Sequence, residues 1–388
     1  MKYIFFFLNI LFFSKKIFKK PETKYFLIIN GDNSKFIEKY LKNEDYHIVF
    51  NRFQRGIERR AEINLFVLMD VLMNFRISFK NYINSYIKFS KPKAIITLVD
   101  NDISFYDLKL NLNCKKILIQ NSYRSTQLDI FYQLEDLKKN KIKYECDYIL
   151  VFNKHVGRLY NSFLKGKYIQ IGPFRSNSIP KKNKAKKYDL IYVSHYRGQN
   201  EKDIFIKKEN ITWGEQRQGE EIIINHLKKF IQKNKNINLL VLGCKIATRK
   251  KELKYYQSKF KGINFEFIPK EINRETYQII DQAKVLISMD STLGYESISR
   301  GNKVCIFSPH PNKYPTDSSK FGWPANLSDK GFFWTNSLDY SEFLRVVKDT
   351  ISISDEDYFK NKTRDIIPDQ IIRDPDNKIF QKLISEIV

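Results

Sequence analysis

Residues 285–301 read VLISMDSTLGYESISRG, and the order of residue types in this stretch decides the fold. Val285 to Met289 is a short apolar run of strand type. Asp290 and Ser291 follow, both good helix N-caps. Thr292 to Arg300 then reads as a helix that Gly301 stops. Lys303 to Ser308 is the next strand. A strand–turn–helix–strand unit aims the free N–H groups of the helix start at the carboxyl edge of a parallel sheet, and that edge attracts phosphate. Glu296 lies further along the same helix, within reach of a ribose whose diphosphate sits on the turn. The residues alone equally fit an ordinary αβ unit in which Ser291 and Thr292 serve only as caps. Arg300 reads as a surface residue of this helix.

The same alternation extends in both directions. Towards the N-terminus, strands are expected at 24–30, 47–50, 94–99, 116–120, 148–153 and 168–171, with helices at 34–43, across 63–90 and near 154–164. The run PKKNKAKK (180–187) is a solvated linker, and the domain boundary is placed there. A second series follows, with strands at 190–193, 239–242, 265–268, 285–289 and 304–307. Its helices are expected near 216–233, 249–259, 273–282, 291–300 and 339–353. The expected fold is α/β, two Rossmann-like domains facing across a cleft: residues 21–180, then 181–388, preceded by a distinct segment 1–20.

The chain of 388 residues is long enough for two cores. Its net charge of +25 would suit a nucleic-acid binder. The lysines are spread along the chain, however, and no Arg/Gly tract, aromatic RNA-binding box or zinc spacing accompanies them, so no nucleic-acid partner is expected. Cys114, Cys146, Cys244 and Cys305 are far apart and read as reduced thiols of a cytoplasmic protein. In residues 1–20 the apolar run Ile4 to Phe13 is too short to span a bilayer. Followed by Lys15, Lys16, Lys19 and Lys20, it has the profile of a segment lying in a membrane interface. A first helix packed on the protein's own core is the alternative.

The block Asp290, Ser291, Thr292, Leu293, Gly294, Glu296, Arg300 and Gly301 resembles the D-S-T-L-G-x-E-x-x-x-R-G segment of bacterial surface carbohydrate biosynthesis proteins, a group of GT-B glycosyltransferases. KPKAIITLVDND (91–102), KILIQNSYRS (116–125) and DIF (129–131) resemble the same group. The likeness covers most of residues 21–350. It departs at Asn121-Ser122, where many relatives have Asn-Gly, and at Asn302-Lys303, where proline is common. It implies an enzyme that moves a sugar from a nucleotide-sugar to a lipopolysaccharide or capsule acceptor. The implied setting is the inner face of the membrane, with a glycan or lipid-linked glycan as acceptor and the nucleotide-sugar as co-substrate. No tightly bound cofactor is expected.

The resemblance makes Asp290, Ser291, Thr292, Gly294 and Glu296 donor-binding residues. Ser194 to Gly198 resembles the family's Ser-x-x-Arg turn, so Ser194 and Arg197 join them. Arg197 would neutralise a diphosphate leaving group in place of a metal. Lys245, after the next strand, is a second cation of that edge. In the first half, Asp100 and Asp102 follow a buried strand and are the candidates for the general base that an inverting transfer needs. At least one of them is expected to be a cap or turn-former instead. Asn121 and Arg124, after the following strand, are candidates on the acceptor side. A nucleotide-sugar 2-epimerase or a CDP-polyol phosphotransferase on the same fold is the alternative activity. A basic nucleic-acid- or lipid-binding module is the alternative of another class.

Overall fold

The computed structural model describes residues 14–31, 33–49, 62–74, 78–108, 110, 113–124, 130–140, 144–181, 185–196, 205–206, 211–212, 218–244, 248–270, 274–289, 291–308 and 320–388. The chain forms two compact units. Unit 1 comprises Met1–Asn121, Leu128–Arg175 and Asn377–Val388; unit 2 comprises Ser122–Gln127 and Ser176–Asp376.

In unit 1 the strands are β1 (Lys15–Ile17), β2 (Phe26–Ile28), β3 (Tyr46–Ile48), β4 (Glu62–Asn64), β5 (Ala94–Thr97), β6 (Lys115–Ile119), β7 (Tyr144–Val151) and β8 (Leu164–Gln170). Six of them form a parallel sheet in the order β3-β2-β5-β6-β7-β8. All residues of β2 and β5 are buried, as the continuous apolar runs of a parallel sheet covered on both faces require. Between β4 and β5 lie helices α1 (Leu65–Met73) and α2 (Phe79–Ser90). Each starts on a side-chain cap: Asn64 accepts from the Val67 N–H, and Ser78 from that of Asn81. Helix α3 (Lys154–Phe163) connects β7 to β8.

Residues 15–17 are not a helix. They form a strand that pairs in parallel with β4, so the lysine-rich end of the N-terminal segment is part of the unit 1 framework. The apolar run before it lies outside the described residues. Among the described residues no helix is long and apolar enough to cross a membrane.

Unit 2 carries β9 (Tyr188–Val193), a small antiparallel ribbon of β10 (Phe205–Ile206) and β11 (Ile211–Thr212), then β12 (Leu239–Leu242), β13 (Glu266–Ile268), β14 (Ala283–Ser288), β15 (Lys303–Phe307) and β16 (Trp334–Thr335). The main sheet is parallel throughout, in the order β13-β12-β9-β14-β15-β16. Its helices are α4 (Gln218–Lys233), α5 (Arg249–Lys259), α6 (Arg274–Ile280), α7 (Thr292–Ser299) and α8 (Tyr340–Ser352). Leu190, Tyr192, Val241 and Ile287 of the sheet share one core with Ile223, Leu227 and Phe230 of α4 and Phe343 and Val347 of α8.

The chain's last helix, α9 (Lys378–Ile387), belongs to unit 1, which corrects the expected domain 181–388. Phe380 meets Phe174 edge-on at 5.0 Å and Tyr40 at 5.9 Å. The Asn377 amide donates to the Phe174 carbonyl and the Tyr40 hydroxyl. The other boundary falls at Arg175–Ser176, a few residues before the charged run. None of the four cysteines forms a disulfide, and Cys114, Cys146 and Cys305 are buried. Burial pushes those three thiols up to about 12.

Candidate functional site

Unit 2 grows from β9 outward to β12 and β13, then returns to β14 on the other side of β9 and continues to β15 and β16. The reversal puts a topological switch point between β9 and β14. In open parallel sheets, ligands bind outside the carboxyl ends of the strands at such a point. The parallel register brings Ser194, Gly243, Met289 and Ser291 to this one edge. Helix α7 starts there. Ser291 is its cap, its hydroxyl accepting from the Leu293 N–H at 3.3 Å. Ser291 and Thr292 are half-buried, while every residue from Leu293 to Ser299 is buried. A cavity of about 840 Å³ lies instead at the amino ends of β12 and β13, lined by Asn236, Asn238, Asn264 and Glu266. That edge has no helix start facing it among the lining residues.

Most residues of the 290–301 block have structural duties. Gly294 leaves room for Ser288: a Cβ there would come within 2.6 Å of the Ser288 hydroxyl oxygen. Glu296 is 3% exposed and accepts from the Tyr277 hydroxyl at 2.9 Å. Arg300 is not a surface residue. It is 1% exposed, and its guanidinium pairs with buried Asp281 through Nε and Nη2. It also donates to the carbonyls of Ser176 and Ile179, fastening the start of unit 2 to the end of α7. Gly301 takes φ +75°, the left-handed stop of that helix.

Ser194 is likewise committed. Its hydroxyl donates to Glu252 Oε1 at 2.5 Å and accepts from the Tyr256 hydroxyl at 2.8 Å and the Tyr196 N–H at 3.1 Å. Glu252 Oε1 also accepts from the Cys244 N–H at 2.7 Å, and Glu220 accepts from the His195 N–H at 3.3 Å. Burial, with Tyr192 and Glu220 close by, holds the Tyr256 phenol well above its ordinary pKa, so it stays a donor. These contacts tie the loops after β9 and β12 to α4 and α5. Sequence reasoning misses Glu220, Glu252 and Tyr256 because each sits on a helix, where only the tertiary fold reveals what it faces. Arg197, Lys245 and Asp290 lie outside the described residues.

In unit 1 the reversal falls between β2 and β5. Asp100, after β5, is fully buried. Its Oδ1 accepts from the Asn121 N–H at 3.1 Å and its Oδ2 from the Tyr160 hydroxyl of α3 at 2.7 Å. Its carbonyl accepts from Tyr106. Asp102 is half-buried and caps the short helix Ile103–Tyr106, accepting from the Ser104 N–H and hydroxyl. The turn after β2, with Asn30 and Asn33 at positive φ, shares the switch point, and the sequence pattern singles out no residue of it. Arg124 does not stay with Asn121 in unit 1. Residues 122–127 belong to unit 2. The Tyr123 ring stacks on Tyr295 of α7 at 3.5 Å, its N–H donates to Thr292 Oγ1, and its hydroxyl donates to Gln370. Among the described residues no group of His, Cys, Asp or Glu has a metal-holding arrangement.

A family model described as "putative O-antigen biosynthesis protein" matches residues 117–388. No curated protein matches. Solved structures share the fold at low identity. The wall teichoic acid polymerase TagF aligns with TM-score 0.55 and 13% identity over 95% of this chain and 89% of its own. Sucrose-phosphate synthase from Thermosynechococcus elongatus aligns with TM-score 0.51 and 10% identity, covering 94% and 99%. UDP-GlcNAc 2-epimerase from Methanocaldococcus jannaschii aligns with TM-score 0.52 and 10% identity, covering 94% and 100%. The fold is the GT-B type, built of two Rossmann-like units.

Proposed function

The chain belongs to the O-antigen biosynthesis protein family, and from that premise we propose that it is a glycosyltransferase that moves a sugar from a nucleotide-sugar to a glycan or lipid-linked glycan acceptor. The observation that carries this reading is the start of α7 at the unit 2 switch point, with Ser291 and Thr292 half-buried there. In the proposed complex the diphosphate lies on this turn, where the helix dipole and backbone N–H groups favour negative charge. Arg197, Lys245 and Asp290 complete the donor side. The leaving diphosphate is held by the helix start and by the cations Arg197 and Lys245, so activity is expected to survive chelation by EDTA.

Glu252, Glu220 and Ser194 act as positioning residues, holding the two loops that frame the turn. Glu296 keeps its proposed ribose role only through its second carboxylate oxygen, since Oε1 serves Tyr277. In unit 1 the general base is Asp102. Asp100 is fully buried and holds three neighbours in place, whereas Asp102 reaches the surface in part.

Thermal shift against UDP-, GDP-, CDP- and CMP-linked ligands tests the reading. A ligand that binds only the folded chain at a hundred times its Kd adds about 2.7 kcal/mol of stability. A shift with one nucleotide class, followed by transfer to a membrane extract, is the expected result. No shift with any of them overturns the reading. The shared fold of TagF and of the 2-epimerase keeps two other outcomes in view. A response confined to CDP-polyols, or turnover of the sugar without an acceptor, would move the assignment to the corresponding activity.

A further inference from the structure

Helix α1 has a buried side, Val67 and Val71, and an outward side whose large apolar side chains are exposed. Phe66 is 46% exposed, Met69 56%, Leu72 42% and Met73 69%. These positions recur at i, i+3, i+6 and i+7, so they share one flank of the helix. Single exposed apolar side chains are ordinary; a run of four large ones on one helix is not. The one acid of α1, Asp70, is tied to Ser85 and Lys88 of α2, which leaves the outward flank uncharged. The chain extends the flank at both ends. Ile17 of β1 pairs with Asn64, the cap of α1, so Phe18, 74% exposed, stands beside the helix start. Phe79, 43% exposed, opens α2 just past the helix end.

Charge sets the chemistry of the occupant. Lys15, Lys16, Lys19 and Lys20 are exposed on and after β1, and Lys88 is exposed on α2. Glu22, Glu62 and Asp70 offset them only in part. An apolar flank of Phe, Met and Leu bordered by lysines suits the headgroup boundary of an anionic bilayer, where rings and thioethers enter the acyl region and ammonium groups meet phosphates. We propose that the outward flank of α1, with Phe18, Phe79 and the β1 lysines, seats unit 1 on an anionic phospholipid surface. The inference deepens the lipid-linked acceptor part of the proposed function and rests on that reading for its purpose, though not for its geometry.

The test uses the full chain in vesicle flotation, with phosphatidylcholine vesicles with and without phosphatidylglycerol. The wild type should float with the anionic vesicles and less so as salt rises. The triple variant Phe66→Gln, Met69→Gln, Met73→Gln keeps helix propensity and should lose vesicle affinity by about tenfold or more. Its melting temperature and its nucleotide-sugar thermal shift should match the wild type, so failure here is separable from failure of the donor reading. If the triple variant misfolds, Met73→Gln alone, at the most exposed of these positions, should still weaken flotation measurably. Wild type that stays unbound overturns the proposal, as does a folded triple variant that floats equally well, which would leave binding to residues 1–13 or the lysines. A wild-type dimer that the variant converts to monomer also overturns it, because the flank would then be covered by a second copy.

Discussion

At the carboxyl edge of unit 1, one buried acid, Asp100, serves Asn121, Tyr160 and Tyr106. At the carboxyl edge of unit 2, three buried acids share the equivalent role. Glu220 and Glu252 hold the loops after β9 and β12, and Glu296 braces α7 against Tyr277. A fourth, Asp281, holds Arg300 behind that helix. A rim with several anchors keeps its geometry independently of any ligand, which suits a site whose charges must be aimed before the substrate arrives. A rim hung on one acid concentrates that role in a single residue. The two edges should therefore fail differently when their acids are removed.

The largest effect is expected behind the unit 2 rim. Arg300→Ala leaves Asp281 buried without its cation, a loss of about 3–5 kcal/mol in chemical denaturation. A change within about 0.5 kcal/mol would instead mark an ordinary surface position. Next comes Glu252→Ala, which strands the Ser194 hydroxyl and the Cys244 N–H at about 1–3 kcal/mol for each donor left without an acceptor. Because these donors sit on the two site loops, donor affinity should fall with stability, while Glu252→Gln restores much of both. Should donor affinity be untouched in the Ala variant, the network is only core structure, and the contrast between the edges loses its functional meaning.

That contrast is half legible in the sequence. The alternation of apolar runs and helical stretches predicts both parallel sheets, because a buried parallel strand needs little more than four to six apolar residues and a break. Leu239–Leu242 and Arg249–Lys259 have the boundaries that the pattern predicts. Short polar strands such as Lys15–Ile17 carry no such signal, since their pairing depends on a partner far away in sequence. The 290–301 block stands out, but its residue types do not say which of them serve a ligand. Gly294, Glu296 and Arg300 are explained by Ser288, Tyr277 and Asp281, none of which a linear reading can place opposite them. The return of Phe380 to Phe174 escapes for the same reason.

Two neighbouring acids sharpen the comparison from the unit 1 side. Asp100→Asn removes the charge that the Asn121 N–H and the Tyr160 hydroxyl rely on and should cost about 1.5–3 kcal/mol. Asp102→Asn should leave stability nearly unchanged, because Asn caps a helix as well as Asp. If Asp102 is the base, its kcat should nonetheless drop by roughly a hundredfold to ten-thousandfold. Full activity in Asp102→Asn would remove it from the mechanism and leave both acids as scaffold.

The smallest expected effect is a pH dependence that belongs to unit 1. His47 of β3 is half-buried and stacks on Tyr86, with rings 5.3 Å apart and 7° from parallel. Desolvation pushes its pKa below the ordinary value, and Lys24 adds to this, while Glu62 and Glu22 oppose it. A base whose folded pKa is depressed takes up its proton more readily in the unfolded chain. The stability tied to its neutral form is therefore complete above the ordinary histidine pKa of about 6.5 and is lost as pH falls below that value towards the folded pKa. Melting temperature should decline on acidification across this window, and His47→Gln should flatten the decline while changing little above it. An identical slope in wild type and variant would place the acid sensitivity in other groups. It would also remove a titration below neutrality as a difference between the two units.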